Sequence, residues 1–511
     1  MDAFICERGI ALDINKFIEL FDNEQLLKLK KQLTISTVDK ITKIPSKTAM
    51  FNIVKTKNGN VLELPKFCLD MLKAKKYVNN VTVDLSAGER MYHKYTGTSN
   101  PNQQIVVQHV IDLFKSNIYG YEGATLKVAA GTGKSFVAMD LIGKIKRKTL
   151  IVVPNTYLLN QWVKILSQYF PTATIGELYG KHKVDGDIIV GIINTISDLT
   201  EFEVKEKLPL PNIGKTVKYI KQSTTVSVDE LFSKIGLTIF DESQMYVSKE
   251  FRKAFKRVHS RFTIGLSATP DIREDKLDRI HTSWLGPIID ADELDNYSPT
   301  QDAFQSKATL IKYHGHDDHV GFKIRDDGMM DYQSIIESLV NDPNRNQLLI
   351  NEIMKLAKNG YYVFVFSDRR SHLEQLYDTI MNDIPKESNV CLSIPEADKK
   401  IILYGGSSDE TIQTANDISN IVFTTYQYSS TGVSIKKMDC LVLTTPRRSN
   451  MKQIINRVFR LGSDQTIERQ IIDIIDMKMP IKNQHRERIK AYRERGSEIV
   501  YTEHIVPLVN L

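Results

Sequence analysis

Four cysteines in 511 residues, Cys6, Cys68, Cys391 and Cys440, stand far apart, with none of the short spacings that clamp a metal or lay out a disulfide framework. Such sparse, scattered cysteine usage points to a reducing compartment. No run approaches the roughly 18 to 20 apolar residues needed to cross a bilayer. The start, MDAFICERGI, lacks the basic segment and apolar stretch of a secretory signal, so the expectation is a chain neither secreted nor membrane-spanning. Short internal repeats and low-complexity tracts are missing as well, which sets aside repeat arrays and disordered linkers. Nor is there a strong net charge: Lys and Arg outnumber Asp and Glu by 68 to 62, an excess that permits contact with phosphate backbones without demanding it. What the chain does have is length and an ordinary apolar share. At 41% apolar and 25% charged it is too apolar for a disordered protein. Its length exceeds what one core usually supports, so at least three domains, of about 100 to 200 residues each, are expected.

Between about residues 125 and 290, short β-branched runs (LIVVP, DIIVGII, LTIFDE, FTIGLSATP) alternate with helix-like stretches. That alternation predicts a parallel sheet in an α/β domain. The pattern returns from about 345 to 475 with YYVFVFS, KKIILYGG, NIVFTTY, CLVLTTP and RQIIDIID, predicting a second such domain. The expected boundaries are 1–95 for a small N-terminal α+β accessory domain, 96–290 for the first lobe, 291–344 for a connection, 345–475 for the second lobe and 476–511 for a tail. The connection is assigned on its polar run HGHDDHVGFKIRDDGMMD.

The strongest chemical signal is VAAGTGKS, Val128 to Ser135, set between a strand-like TLKV and a helical FVAMDLIGKI. In Ala130, Gly131, Thr132, Gly133, Lys134 and Ser135 this is a phosphate-binding loop in the right context. The two glycines let the backbone turn its amides toward phosphate at a helix N-terminus. Lys134 would reach the β- and γ-phosphates of ATP, and the Ser135 hydroxyl would ligate Mg2+. The first glycine of the full pattern is replaced by Val128. Asp241-Glu242 follows a later apolar run, LTIF. Alone, such a pair is usually an exposed strand end; beside a phosphate loop it reads as a metal carboxylate, Asp241, and a water-activating one, Glu242. Ser267-Ala268-Thr269-Pro270 closes a third run, where small hydroxyls can bond the carboxylates and a neighbouring segment. In the second lobe, Gln453, Arg457 and Arg460 fall at spacings of four and three on a helical pattern, so one face carries two arginines, as an arginine finger supplied in the same chain requires.

The ordered set GTGKS, DESQ, SATP, Thr431-Gly432-Val433 and Gln-x-x-Asn-Arg-x-x-Arg resembles superfamily 2 helicases over roughly residues 100 to 475. Within them, DIIVGIINTI, GLSATP and TTPRRSNMKQIINRVFRLGSDQ look closest to the transcription and DNA helicases of the asfarvirus, iridovirus and poxvirus group. The resemblance implies two RecA-like lobes with ATP between them and a nucleic-acid strand crossing both. Residue by residue, Gln103 resembles the upstream glutamine that reads adenine, with Asn102 where an aromatic or apolar residue is usual. Pro154, Asn155, Gln161 and Trp162 resemble the first strand-contact motif, and Gly191 to Thr195 the second, offering amides and hydroxyls that suit phosphate contacts. Ser367, Asp368, Arg369, Thr424, Thr425 and Gly432 would grip the strand from the second lobe, with Gly432 and Gln453 also placed toward the nucleotide. Two departures are Ser243-Gln244, where this branch usually ends in histidine, and Asn456 in place of glycine. Gln244 can still donate and accept, so it keeps a place among the catalytic residues.

The reading is an ATP-dependent helicase or translocase using ATP and Mg2+, with 3′ to 5′ movement implied by the family. Its partners are expected to be single-stranded and duplex DNA ahead of RNA, favoured by Arg273, Glu274 and Asp275 and by the viral resemblance, together with viral transcription machinery and no membrane. The location implied is the viral factory of the host cytoplasm, with packaging in the virion as an extension. Two alternatives stay open: a translocase that displaces transcripts or proteins without free unwinding, and a non-enzymatic structural subunit.

Overall fold

The apolar runs become strands because their β-branched residues pack on both faces of parallel sheets. In the computed structural model of the chain, the described residues are all but 7–8, 39–44, 58, 86, 117–121, 130–131, 200, 210–218, 247–251, 259, 271–277, 299–303, 317–320, 327, 329, 384–401, 404–406, 408, 418, 427–434, 436, 448–450, 460–463 and 507–511. They divide into two compact units, Met1–Ala129 with Gly133–Ser298, and a second made chiefly of Pro299–Leu511.

The first unit begins with β1 (Asp2–Cys6), β2 (Gly9–Asp13) and α1 (Ile14–Gln32). Asp13 caps α1 by accepting the Lys16 amide, and where the helix kinks at Asp22 (φ 68°) that carboxylate caps the restart through the Gln25 amide. A ribbon of β3 (Thr34–Val38) and β4 (Pro45–Ala49) follows. Then β5 (Asn52–Thr56), β6 (Gly59–Leu64), α2 (Leu69–Ala74) and β7 (Asn80–Val83) complete a sheet of order β5-β6-β2-β1-β7. This α+β portion shares one buried core with the next sheet: Leu12, Leu64 and Leu69 belong to the same cluster as Leu150, Val152 and Phe240. Its buried Lys66 donates to the Ser260 carbonyl at 2.9 Å.

The next elements are α3 (Pro101–Ser116), β8 (Glu122–Lys127), α4 (Lys134–Ile145), β9 (Thr149–Val153), α5 (Thr156–Tyr169), β10 (Ile175–Tyr179), β11 (His182–Val184), β12 (Ile188–Ile192) and α6 (Ile193–Asp198). A two-stranded antiparallel ribbon, β13 (Glu201–Pro209) with β14 (Tyr219–Ser227), stands apart from the main sheet. After it come α7 (Val228–Lys234), β15 (Leu237–Asp241), α8 (Arg252–Arg257), β16 (Phe262–Ser267), α9 (Asp278–Leu285) and β17 (Ile288–Asp290). The sheet order is β11-β10-β12-β9-β15-β16-β8-β17, parallel except at β11. The chain enters at β8 and skips two positions to form β9, leaving β15 and β16 to fill the gap later. Such reversals of strand order are where α/β sheets bind ligands.

The second unit holds β18 (Ser306–His314), α10 (Tyr332–Val340), α11 (Pro343–Lys358), β19 (Val363–Ser367), α12 (Arg370–Asp383), β20 (Ile402–Leu403), α13 (Asp409–Asp417), β21 (Ile421–Thr425), β22 (Cys440–Leu443), α14 (Met451–Ile455), β23 (Arg469–Asp476), α15 (His485–Glu494) and β24 (Glu498–Ile505). They form an all-parallel sheet, β20-β21-β19-β22-β23-β18-β24. Two sequence expectations change here. The segment assigned as a connection, 291–344, supplies β18, paired on both edges, and α10. The assigned tail supplies α15 and the edge strand β24. In SKATLIKYH the buried residues change face at Leu310–Ile311, so β18 is covered on both sides, and Arg488 of α15 reaches back to Asp473 at 2.7 Å, which ties the tail to the sheet.

His372 lies buried in this unit between Ser367 and Asn346. The Asn346 side-chain amide donates to the Val340 carbonyl (2.8 Å), so its oxygen accepts from Nε2 (2.9 Å), and Nδ1 takes the Ser367 hydroxyl at 3.1 Å. Burial, helped by the Arg345 charge, pushes the imidazole pKa down to about 3. An unfolded histidine titrates near roughly 6.5. The stability that neutral His372 contributes is therefore intact above that pH and drains as pH falls toward 3, by at most about 1.4 kcal/mol per unit. Urea unfolding at pH 7.5, 6.0 and 5.0 should show a steeper loss for the parent than for His372→Gln; equal slopes would place the acid sensitivity elsewhere.

Candidate nucleotide site

Three strands lie side by side in the first unit in the order β15, β16, β8, and their C-terminal ends are level: Asp241 pairs with Leu266, and Ser267 with Lys127. The register brings the acidic box, the Ser-Ala-Thr-Pro turn and the phosphate loop to one edge. Gly133 has φ 91°, a left-handed conformation that favours glycine, and as the N-cap of α4, which starts at the next residue, it offers no side chain to the helix amides. A Cβ at Gly133 would also sit 2.4 Å from Gln103 Nε2. Gln103 is held by a capping box at the start of α3: its amide donates to Asn100 Oδ1 and its Oε1 accepts the Asn100 amide, both at 2.9 Å. Its amide nitrogen thus faces the loop.

Lys134 Nζ stands 3.5 Å from Glu242 Oε1. Glu242 itself has φ 51° and ψ 45°, a strained backbone for a non-glycine residue and common at functional positions. Its Oε2 accepts from Gln244 Nε2 (2.6 Å), Gln244 Oε1 accepts from the Ser267 hydroxyl (2.6 Å), and Ser267 Oγ accepts from the Thr269 amide (3.0 Å). Phosphate loop, acidic box and Ser-Ala-Thr-Pro turn are one connected chain of polar contacts. Asp241 is buried beside it; Oδ2 accepts the Trp162 indole N–H (2.8 Å) and Oδ1 the Glu242 amide (3.0 Å). Burial, then the Glu242 charge, holds the Asp241 pKa above the usual carboxylate range, against the pull of Lys134 and Trp162.

These groups fit a magnesium nucleotide. Two adjacent carboxylates, one buried and reluctant to ionise, are what a divalent cation would neutralise, and a helix start with a glycine N-cap beside a lysine is what phosphate oxygens would meet. Lys134, Ser135 and Asp241 are the residues that would hold such a group.

Residues 97–272 match the family model ResIII, described as "Type III restriction enzyme, res subunit". That stretch is similar to a ResIII helicase domain. The chain is 29% identical over 412 residues to "Putative ATP-dependent RNA helicase QP509L" of African swine fever virus (isolate Pig/Kenya/KEN-50/1950), covering 77% of this chain and 73% of that protein. It is 22% identical over 504 residues to "Putative ATP-dependent RNA helicase L396" of Acanthamoeba polyphaga mimivirus, covering 95% and 84%. Among solved structures it resembles Mss116p bound to ssRNA and AMP-PNP, with a TM-score of 0.51 at 13% identity, covering 80% of this chain and 74% of that one. The last likeness is one of fold and agrees with the expected α/β pair of RecA-like lobes.

Of the candidate residues, Gln103, Gly133, Lys134, Ser135, Asp241, Glu242 and Gln244 belong to this edge of the first unit, and Thr132 immediately precedes Gly133 in the chain. Ala130, Gly131, Gly432 and Arg460 lie outside the described residues, as do Arg273, Glu274 and Asp275. Several strand candidates serve the interior instead. Trp162, grouped by sequence with the strand-contact motif, is 1% exposed and bonded to Asp241. Its buried indole N–H needed an acceptor, but the sequence alone did not say which. Gly191 is buried, and a Cβ there would meet Ile196 at 2.8 Å. The Ser367 and Thr424 hydroxyls are buried on His372 and the Leu403 carbonyl, so these side chains are not presented to a strand. Thr195 Oγ1 accepts the Gly180 amide (3.1 Å), and Asn155 caps α5 by accepting from Leu158 (3.0 Å). Pro154, Gln161 and Thr425 are half-buried, and Arg369 donates to Gln333 at 2.6 Å. The arginine face is also revised: α14 ends at Ile455, and Arg457 follows in turns that bond three residues back, so Gln453 and Arg457 do not share one α-helical face.

Proposed function

We propose that the chain is an ATPase, stimulated by single-stranded nucleic acid, that converts ATP hydrolysis into movement along the strand, with Mg2+ held at Asp241 and Ser135. The observation that carries this is the polar chain from Lys134 through Glu242 and Gln244 to Ser267 and Thr269, which ties the phosphate loop to the turn beyond the acidic box. When bound, magnesium would supply charge neutralisation on the phosphates; Glu242 would orient and deprotonate the attacking water, and Lys134 would hold phosphate charge. The expectation of DNA rested on Arg273, Glu274 and Asp275 and on viral resemblance, whereas the African swine fever virus and mimivirus relatives are named as RNA helicases. The reading is therefore of a strand gripped through its backbone, in the cytoplasmic transcription apparatus of a large DNA virus. The test is phosphate release with single-stranded RNA and DNA of several unrelated sequences at rising salt. Stimulation should depend little on sequence and fall steeply with salt, because backbone binding releases counterions. No stimulation by either polymer would overturn the proposal.

A further inference from the structure

The geometry points to Trp162 as a positioning residue that orients Asp241 for magnesium and links that carboxylate to the start of α5. This rests on the proposed ATPase function. Asp241 is held by one N–H on each oxygen, the indole of Trp162 on Oδ2 at 2.8 Å and the Glu242 amide on Oδ1 at 3.0 Å, so rotation of the carboxylate is restrained from both sides. The amide comes from the neighbouring residue and follows the strand end, whereas the indole comes from a different element 79 positions away. An indole is a neutral donor. Unlike a lysine or arginine in the same place, it orients the carboxylate without cancelling the charge a divalent cation needs. Trp162 is 1% exposed, so solvent cannot substitute for it.

The second half of the inference follows from where α5 begins. Its N-cap is Asn155, beside Pro154, the residues that resemble a strand-contact motif, and Asn155 lies two helical turns before Trp162, about 10 Å along a rigid rod. Leu158, Leu159 and Leu166 bury the helix in the domain core, so a shift imposed at its start is carried to the indole and hence to Asp241. Strand binding at Pro154 and Asn155 would thereby adjust the magnesium carboxylate directly, by a route separate from the Gln244–Ser267 contact.

The experiment compares the full-length parent with Trp162→Phe, which keeps an aromatic ring and removes the N–H, and with Leu166→Ala, which loosens the same helix without touching Asp241. Affinity for a fluorescent non-hydrolysable ATP analogue is measured against magnesium concentration, with and without single-stranded nucleic acid, alongside thermal unfolding. In Trp162→Phe the magnesium needed for half-maximal tightening should rise about tenfold, the low end of what removing a group that orients a metal ligand costs. Any effect of the strand on that magnesium requirement should disappear. Leu166→Ala should lower the melting temperature and, in the absence of strand, leave the magnesium requirement unchanged. A Trp162→Phe protein with the parent's magnesium dependence, or a Leu166→Ala protein shifted equally, would reduce Trp162 to packing and overturn the inference alone. A parent that binds no magnesium nucleotide would overturn the proposed function and this inference with it.

Discussion

Glu242→Gln should leave ATP bound and lower strand-stimulated turnover by about 10² to 10⁴, the usual worth of a positioned general base. The amide keeps the size of the side chain and can still accept from Gln244 Nε2, so the polar chain to Ser267 survives while the capacity to take a proton is lost. The contact with Lys134 at 3.5 Å loses its charge, which frees the ammonium for phosphate and should hold or tighten nucleotide affinity. Lys134→Ala is the opposite case. It removes the cation that meets phosphate, so binding should weaken by roughly 10- to 100-fold, the value of a hydrogen bond to a charged group. Equilibrium nucleotide affinity and phosphate release measured on both variants separate the two roles. A Glu242→Gln protein that turns over at the parent rate would remove Glu242 from the chemistry.

Arg345→Ala should destabilise the second unit by about 3 to 5 kcal/mol, the cost of breaking a buried ion pair by removing one partner. Arg345 is wholly buried on α11 and bonds Asp476 at the end of β23 through Nε (2.6 Å) and Nη2 (3.2 Å), while Nη1 donates to the Thr444 carbonyl (2.6 Å). Without it, Asp476 stays in the interior as an uncompensated carboxylate and a carbonyl loses its donor. Replacing both members, Arg345→Met with Asp476→Leu, should recover most of the loss, since no charge is then left in the core. Chemical unfolding of the single and double variants checks this. If the double variant were as unstable as the single, the loss would come from packing around Arg345 and not from the stranded carboxylate.

The nucleotide site was legible where its chemistry depends on residue type at short spacing. Gly133 needs a left-handed backbone, Lys134 follows it at a helix start, and Asp241-Glu242 closes an apolar strand. The central strands were legible for a related reason: β9, β12 and β15 are buried along nearly their whole length, so burial writes continuous apolar runs into them. The arginine face was misread because spacing alone cannot say where a helix tightens, and α14 gives way to three-residue turns after Ile455.

By itself, the sequence determined the class of chemistry and the two α/β patterns, because each rests on local residue choice: glycine where the backbone must turn, carboxylates at a strand end, apolar runs where both faces are covered. Tertiary structure alone decided which elements meet. Parallel strands pair across long, separate stretches of chain and carry no turn signal that names a neighbour, so nothing local in SKATLIKYH announces that β18 lies between β23 and β24. The same holds for single side chains. A buried indole N–H or carboxylate must find a partner, but that Trp162 finds Asp241, and Ser267 finds Gln244, follows only from strand order and register, which set β15 and β16 side by side and pack α5 against their sheet.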